Sequence, residues 1–184
     1  AFWILLKLKL REKGRIMSEI VYLSLGSNIG DRESNIAGAI TALGTYSEIH
    51  NIQSASFYET EPLLNQDQPK YLNTVVFCST EFSPFQFLDA VNNIEIMLGR
   101  PKVQKKYLPR TIDIDILCFG DKIIETEALT LPHPELHNRL FVLVPFTELD
   151  PDFVLPLWNK TIADLLISCP DNTVITKHII QTNA

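Results

Sequence analysis

Residues Pro109-Arg110-Thr111-Ile112-Asp113-Ile114-Asp115-Ile116-Leu117 alternate polar and apolar side chains through their second half. In an extended strand this places Asp113 and Asp115 on one face and Ile112, Ile114 and Ile116 on the other. The stretch therefore predicts a sheet with a core on one side and a pair of neighbouring carboxylates on the other. Alternation alone also describes a solvent-facing strand of an antiparallel sheet. Two carboxylates held close together repel each other, and the pair becomes favourable when protons or a cation occupy the space between them. Oxygen ligands without nearby His or Cys select Mg²⁺ over zinc, and Mg²⁺ keeps places for water and substrate phosphates. Arg110, three residues before the first Asp, is the complement of a polyphosphate whose charge one cation cannot neutralise.

Working outward, Arg100, Lys102, Lys105, Lys106 and Arg110 fall within eleven residues of a chain whose net charge is −6. That balance gives no general attraction to nucleic acid, so the local cluster reads as an anion site or as a solvated basic loop. At 184 residues the chain can bury one sizeable core, and two domains are not expected. Cys78, Cys118 and Cys169 are odd in number, far apart and set in apolar runs, as small hydrophobes of a reduced compartment are. A cytoplasmic location is expected. The opening Phe2-Trp3-Ile4-Leu5-Leu6, followed by alternating Lys and Leu, is too short to span a bilayer and has no small-residue cleavage site after it. Met17-Ser18-Glu19 reads like a natural start. Residues 1–16 are thus expected to be an appended or upstream-translated segment, with a surface-bound amphipathic extension as the alternative.

From there, Ile20 to Leu25 is a short apolar strand ended by Gly26-Ser27-Asn28. This Gly-rich turn has neither spacing of the nucleotide-binding glycine loops. The helix after it opens at Asp31 or Ser34, carries Ile36, Ile40 and Leu43, and ends near Gly44. Ile49 to Tyr58 reads as a second strand and runs into a long polar loop, Thr60 to Pro69; loops of such length are usually functional. Tyr71 to Thr80 is a strand with Tyr71, Asn73 and Val75 on one face. That face is either a wet sheet surface or the floor of a pocket for a flat polar ring. Ser83-Pro84-Phe85-Gln86 has the form of a capped helix start, and the helix ends at Gly99. Glu95 near its C-terminus opposes the macrodipole, a small cost that a cation or substrate amine would offset. Beyond the paired acids come a weak Ile123-Ile124 strand and a second polar loop holding His133 between two prolines, with Arg139 behind it. An apolar Phe141 to Phe146, a short helix over Lys160 to Leu166 and a last strand over Thr173 to Ile180 follow. The order is β-α-β-β-α-β, a ferredoxin-like α+β antiparallel sheet with packed helices and C-terminal additions.

The set Gly26-Ser27-Asn28, Phe57-Tyr58-Glu59-Thr60, Gln66-Asp67-Gln68-Pro69, Tyr71-Leu72-Asn73, Gly99-Arg100, the Asp113 stretch, Pro132-His133 and Asn138-Arg139 resembles the 6-hydroxymethyl-7,8-dihydropterin pyrophosphokinase family of folate biosynthesis. The resemblance runs in family order from residue 19 to the end. It implies that residues 17–184 form a single pyrophosphokinase domain, a monomer with small-molecule substrates and neither nucleic-acid nor membrane partners. The implied reaction is transfer of the β,γ-pyrophosphoryl group of ATP to the pterin hydroxymethyl group, leaving AMP. Asp113 and Asp115 would hold two Mg²⁺ ions. The pterin would be bound by Thr60, Pro62, Leu63, Tyr71, Asn73 and Phe141. Nucleotide contacts would fall to Lys102, Lys106, Tyr107, Arg110, Thr130, His133 and Arg139, and Arg100 and Arg110 would stabilise developing charge. Family members often carry Pro, Trp and a small residue where this chain has Glu61, Tyr107 and Leu108. Loops 60–70 and 99–110 are expected to close over ATP. Two other classes fit parts of the pattern. A ligand-binding regulatory module would explain the fold and the Tyr71/Asn73 face, and a Mg²⁺-dependent phosphohydrolase would explain the acids and bases.

Overall fold

Alternation over Asp113 to Phe119 becomes an edge strand in the structure, a computed structural model that describes residues 18–62, 68–100 and 108–179. Among the described residues ten strands form in chain order: β1 (Glu19–Ser27), β2 (Ile49–Ser54), β3 (Tyr58–Thr60), β4 (Tyr71–Thr80), β5 (Asp113–Phe119), β6 (Ile124–Glu125), β7 (Thr130–Leu131), β8 (Val154–Leu155), β9 (Lys160–Thr161) and β10 (Ile175–Lys177). The helices are α1 (Arg32–Leu43), α2 (Pro84–Met97), α3 (Leu140–Leu149) and α4 (Ile162–Ile167). The main sheet runs β10-β3-β4-β1-β5, with β2 also paired to β4. Every pairing in it is antiparallel. Each β-α-β crossover therefore skips a strand: β4 lies between β1 and β2, and β1 lies between β4 and β5. That is the split arrangement of a ferredoxin-like fold, as expected from the order of elements.

The central strand β1 is buried from Ile20 to Ser27, lying between β4 and β5 with helices over one face and over part of the other. On one face Val21, Leu23 and Leu25 join Ile112, Ile114 and Ile116 under Ile36 and Leu43 of α1 and Phe87, Val91 and Ile94 of α2. On the other, Ile20, Tyr22, Val75, Phe77 and Leu117 pack beneath Val142, Leu143 and Phe146 of α3 and Leu165 of α4. This second core covers only part of its face. Continuing along the same strands with period two leads to Ser24 and Gly26 on β1, Asn73 and Tyr71 on β4, and Asp115 and Asp113 on β5, none of which joins the cluster. The polar half of that face is left open, and it becomes the site.

Local signals hold where they are strongest. The Asp31 side chain accepts the Ser34 N–H at 3.0 Å to start α1, and Ser83 and Gln86 form a reciprocal capping box on α2 with Pro84 just inside. Gly99 takes φ +93° after α2, a conformation that glycine adopts without penalty. The strand expected over Ile49 to Tyr58 is instead broken in two. β2 ends at Ser54 and β3 begins at Tyr58, and inside β2 Asn51 has φ 54° where the pairing with β4 shifts register between His50 and Gln53. A bulge adds a residue that a period-two reading cannot detect. The last strand, expected over Thr173 to Ile180, is confined to Ile175–Lys177 because its partner β3 is three residues long. Thr161 and Asp164 form a capping box that delays the helix expected from Lys160 until Ile162.

Two polar pins fasten α3 and its C-terminus to the sheet. Tyr22, ringed by Phe77, Phe146 and Phe153, donates to the buried Asp150 at 2.7 Å. Glu148 accepts from the Ser56 N–H at 2.7 Å, the Tyr58 hydroxyl at 2.8 Å and Lys177 at 2.9 Å, joining α3 to β3 and β10. Burial alone would raise the Glu148 carboxyl, but these donors outweigh it and hold the group at about 2. Its stabilisation is complete above the ordinary 4.5 and is lost as the pH falls through about 2. Glu148→Gln is expected to cost about 1–3 kcal/mol in urea unfolding at neutral pH; an unchanged midpoint would refute this role. Cys78 and Cys118 are buried and free, and burial pushes the Cys78 thiol up to about 12. Among the described residues no helix is long and apolar enough to cross a membrane.

Candidate active site

The uncovered half of the sheet is the floor of a cavity of about 360 Å³. Strand register sets that floor: Asp115 lies opposite Ser24, Asp113 opposite Gly26, and Gly26 opposite Asn73. The middle position needs glycine, since a Cβ built there would stand 2.9 Å from Asn73 Oδ1. Thr60, Glu61, Pro62 and Gln68 form one wall, while Leu108, Arg110, His133, Arg139 and Phe141 form the others.

One end is a charged cluster. The Asp113 carboxylate receives Arg100 on Oδ1 at 2.7 Å and Arg110 on Oδ2 at 2.5 Å. Burial and the adjacent Asp113 raise the Asp115 carboxyl to about 6, against the pull of Arg139, Arg110 and Arg100. Behind them Glu95, from α2, pairs with Arg100 and accepts the Ile114 N–H at 2.8 Å. Burial raises its carboxyl to about 7. The backbone N–H of His133 donates to Leu117 O at 2.8 Å, tying its loop to β5. Burial and then Arg139 lower the His133 imidazole to about 4, so it is neutral near pH 7. Its Nδ1 accepts the Glu135 N–H at 3.2 Å, which leaves the proton on Nε2.

The other end is flat and amphipathic. Tyr71 and Phe141 line it, both half-buried. Asn73 and Thr60 are each 4% exposed, and the Asn73 amide donates to Thr60 Oγ1 at 2.9 Å. An amide fixed in this way presents its polar edge to a ligand without paying rotamer entropy on binding.

Asn28 joins the two ends. Its N–H donates to Arg110 O at 3.1 Å, its Oδ1 accepts the Arg110 N–H at 2.7 Å, and its Nδ2 donates to Gln68 Oε1 at 3.1 Å. Gly26 and Ser27 continue β1 past the end expected at Leu25, and Asn28 just beyond them is a brace holding Arg110 and Gln68 at the cavity wall rather than part of a phosphate loop.

Of the residues expected to form the site, the structure gathers Thr60, Pro62, Tyr71, Asn73, Phe141, Arg110, Asp113, Asp115, His133 and Arg139 around one cavity. Arg100 stands behind the wall and reaches in through Asp113. Thr130 is exposed on β7 and is not part of the cavity wall. Leu63, Lys102, Lys106 and Tyr107 lie outside the described residues, as do the central parts of both loops expected to close. Ser24 was not anticipated. Its only signal was the two-residue step from Tyr22 along β1, which looks the same in any buried strand.

The donor set suits a hard cation. Two carboxylates stand together without His or Cys ligands, and among the described residues no group of three or more acidic, His or Cys side chains could hold a metal unaided. An ion there would complete its sphere with water and ligand oxygens, as Mg²⁺ does.

The profile of the family described as 7,8-dihydro-6-hydroxymethylpterin-pyrophosphokinase matches residues 22–151. A 2-amino-4-hydroxy-6-hydroxymethyldihydropteridine pyrophosphokinase of Haemophilus influenzae is 40% identical over 154 residues, covering 84% of this chain and 95% of the relative. A protein of the same name from Bacillus subtilis is 42% identical over 133 residues, covering 72% of this chain and 79% of the relative. Among solved structures, the Plasmodium falciparum HPPK-DHPS protein superposes on 88% of this chain with a TM-score of 0.64 at 17% identity. That likeness concerns the fold, and this chain spans 42% of the longer protein. With the profile matching most of the described fold and two relatives near 40% identity, this chain belongs to the 7,8-dihydro-6-hydroxymethylpterin-pyrophosphokinase family.

Proposed function

We propose that this cavity is where the chain, a pyrophosphokinase by family, transfers the pyrophosphoryl group of ATP to the hydroxymethyl oxygen of 6-hydroxymethyl-7,8-dihydropterin in folate biosynthesis. The observation that carries the reading is a single cavity with paired carboxylates and arginines at one end and Asn73, Tyr71 and Phe141 at the other. Its volume of about 360 Å³ suits a small heterocycle with a phosphate chain beside it.

The pterin lies between Tyr71 and Phe141, with Asn73 on its edge and Thr60 and Pro62 beside it; Leu63 is a further proposed contact. The attacking oxygen bonds to the β-phosphorus, the bond from that phosphorus to the α-phosphate oxygen breaks, AMP leaves with that oxygen, and the hydroxyl proton goes to water. Asp113 and Asp115 would hold two Mg²⁺ ions, which when bound neutralise the triphosphate oxygens and orient an in-line attack. Arg110 and Arg100 supply positive charge where negative charge develops during transfer. His133, neutral with its proton on Nε2, and Arg139, stacked over Phe141 at 5.7 Å, face the nucleotide; Lys102, Lys106 and Tyr107 complete its proposed contacts, and Thr130, outside the cavity wall, would meet it only beyond the cavity. The reading includes a monomer and a cytoplasmic enzyme; the buried free thiols lend support to the second.

Incubating the protein with ATP, Mg²⁺ and reduced hydroxymethylpterin, with the nucleotide products resolved, tests this directly. AMP forming only when the pterin is present is the expected result. ADP or phosphate released without pterin would replace the reading with a phosphohydrolase, and binding without turnover would replace it with a ligand-sensing module. Gly26→Ala is a finer test. The new methyl collides with the Asn73 amide, so calorimetry should show pterin affinity falling about 10-fold or more with nucleotide-analogue affinity unchanged. Equal losses for both ligands would count against the assignment of Asn73.

A further inference from the structure

We infer that Glu95 is a positioning residue for the transfer, holding Arg100 and the outer edge of β5 where the two aspartates need them. The inference rests on the function proposed above. Glu95 is 6% exposed, among the apolar residues that α2 turns toward the core. It also sits in the last turn of that helix, where the macrodipole disfavours an anion. Both features make a carboxylate an unfavourable choice for stability, and an apolar side chain would pack there instead.

Among the described residues its polar contacts lead to the site. β5, among the described residues, pairs with β1 on one side only. The N–H of Ile114, the residue between the two aspartates, meets no strand on the other side among the described residues and donates to Glu95 Oε1 at 2.8 Å. Arg100 Nη1 is shared, bonded to Glu95 and also to Asp113 Oδ1 at 2.7 Å. The turn at Gly99 brings the Arg100 N–H back to Glu95 O at 2.9 Å, so backbone and side chain of Arg100 are both fastened to one residue. When a ligand engages Asp113, Glu95 keeps its grip on the guanidinium, which remains aimed at the same place. Glu95 touches neither proposed substrate. Its effect on the reaction passes through Arg100 and through the pitch of β5.

Glu95→Gln separates this role from simple packing, since Gln keeps the shape and the acceptor for the Ile114 N–H and loses the charge that holds Arg100. In steady-state assays of the full chain, kcat is expected to fall about 10- to 100-fold with the pterin KM within about twofold. In an Arg100→Ala background the same substitution is expected to change kcat by less than about twofold, because residues acting as one unit are not additive. A Glu95→Gln enzyme with wild-type kcat, or one whose full loss persists in the Arg100→Ala background, overturns the inference. Wild-type protein that forms no AMP overturns the underlying reading instead, and this inference with it.

Discussion

Asp115→Asn is expected to lower kcat/KM for pyrophosphoryl transfer by about 10³-fold or more while leaving the fold in place. Asn matches the shape of the Asp side chain and still offers one oxygen, but it cannot carry the charge that a divalent ion and the triphosphate require. Stability should move the other way. The folded-state carboxyl titrates near 6, above its ordinary 3.8, because of burial and the adjacent Asp113. Its stabilisation is therefore complete below about 3.8 and is lost as the pH rises through about 6. Asn never ionises, so at alkaline pH the variant's Tm should equal or exceed that of the wild type. The same titration predicts weaker Mg²⁺ binding as the pH falls below about 6, since a proton and the cation compete for the same oxygens. An Asp115→Asn enzyme with a near-normal rate, measured by AMP formation, would remove the metal-site assignment. A large drop in Tm would show that the acid is there for stability.

Arg110→Ala should lower kcat by about 10²- to 10³-fold with little change in the pterin KM. Arg110 is positioned by its backbone, clamped on Asn28 at 2.7 and 3.1 Å, and by its pairing with Asp113 at 2.5 Å. Charge that develops on the transferring group is met by a guanidinium already in place, which is worth more than one that must be recruited from solvent. Lys is expected to restore little, because a point charge on a flexible stem does not reproduce the planar fork. Single-turnover measurements decide the matter. A chemical step slowed less than about threefold in the Ala variant would demote Arg110 to a binding contact.

Both expectations start from side chains whose chemistry was legible before any fold was known. Alternation over Ile112 to Ile116 is a property of a few consecutive residues, and the helix caps at Asp31 and Ser83 are equally local, so each was readable directly. The bulge at Asn51 was not, because it depends on the register against β4 rather than on residue type. Glu95 was noticed only as a charge at an unfavourable helix end, since its partner Ile114 lies 19 positions away. Asn28 looked like part of a turn because the backbone it braces, Arg110, is 82 residues further along. Ser24 left no trace beyond strand alternation, which does not distinguish the floor of a cavity from buried core.

The amino-acid order by itself determined the main strands and the two capped helices α1 and α2, their succession into a split β-α-β sheet, the pairing of Asp113 with Asp115 on one face, and the family motifs. Those features arise from backbone sterics, side-chain period and capping over a few residues. Only the tertiary structure decided that α3 and α4 cover the Tyr22 and Phe77 end of their face and leave the Ser24, Asn73 and Asp115 end open. Whether a sheet surface is core or cavity depends on which distant segment packs against it, and that is set by the fit of side chains far apart along the chain.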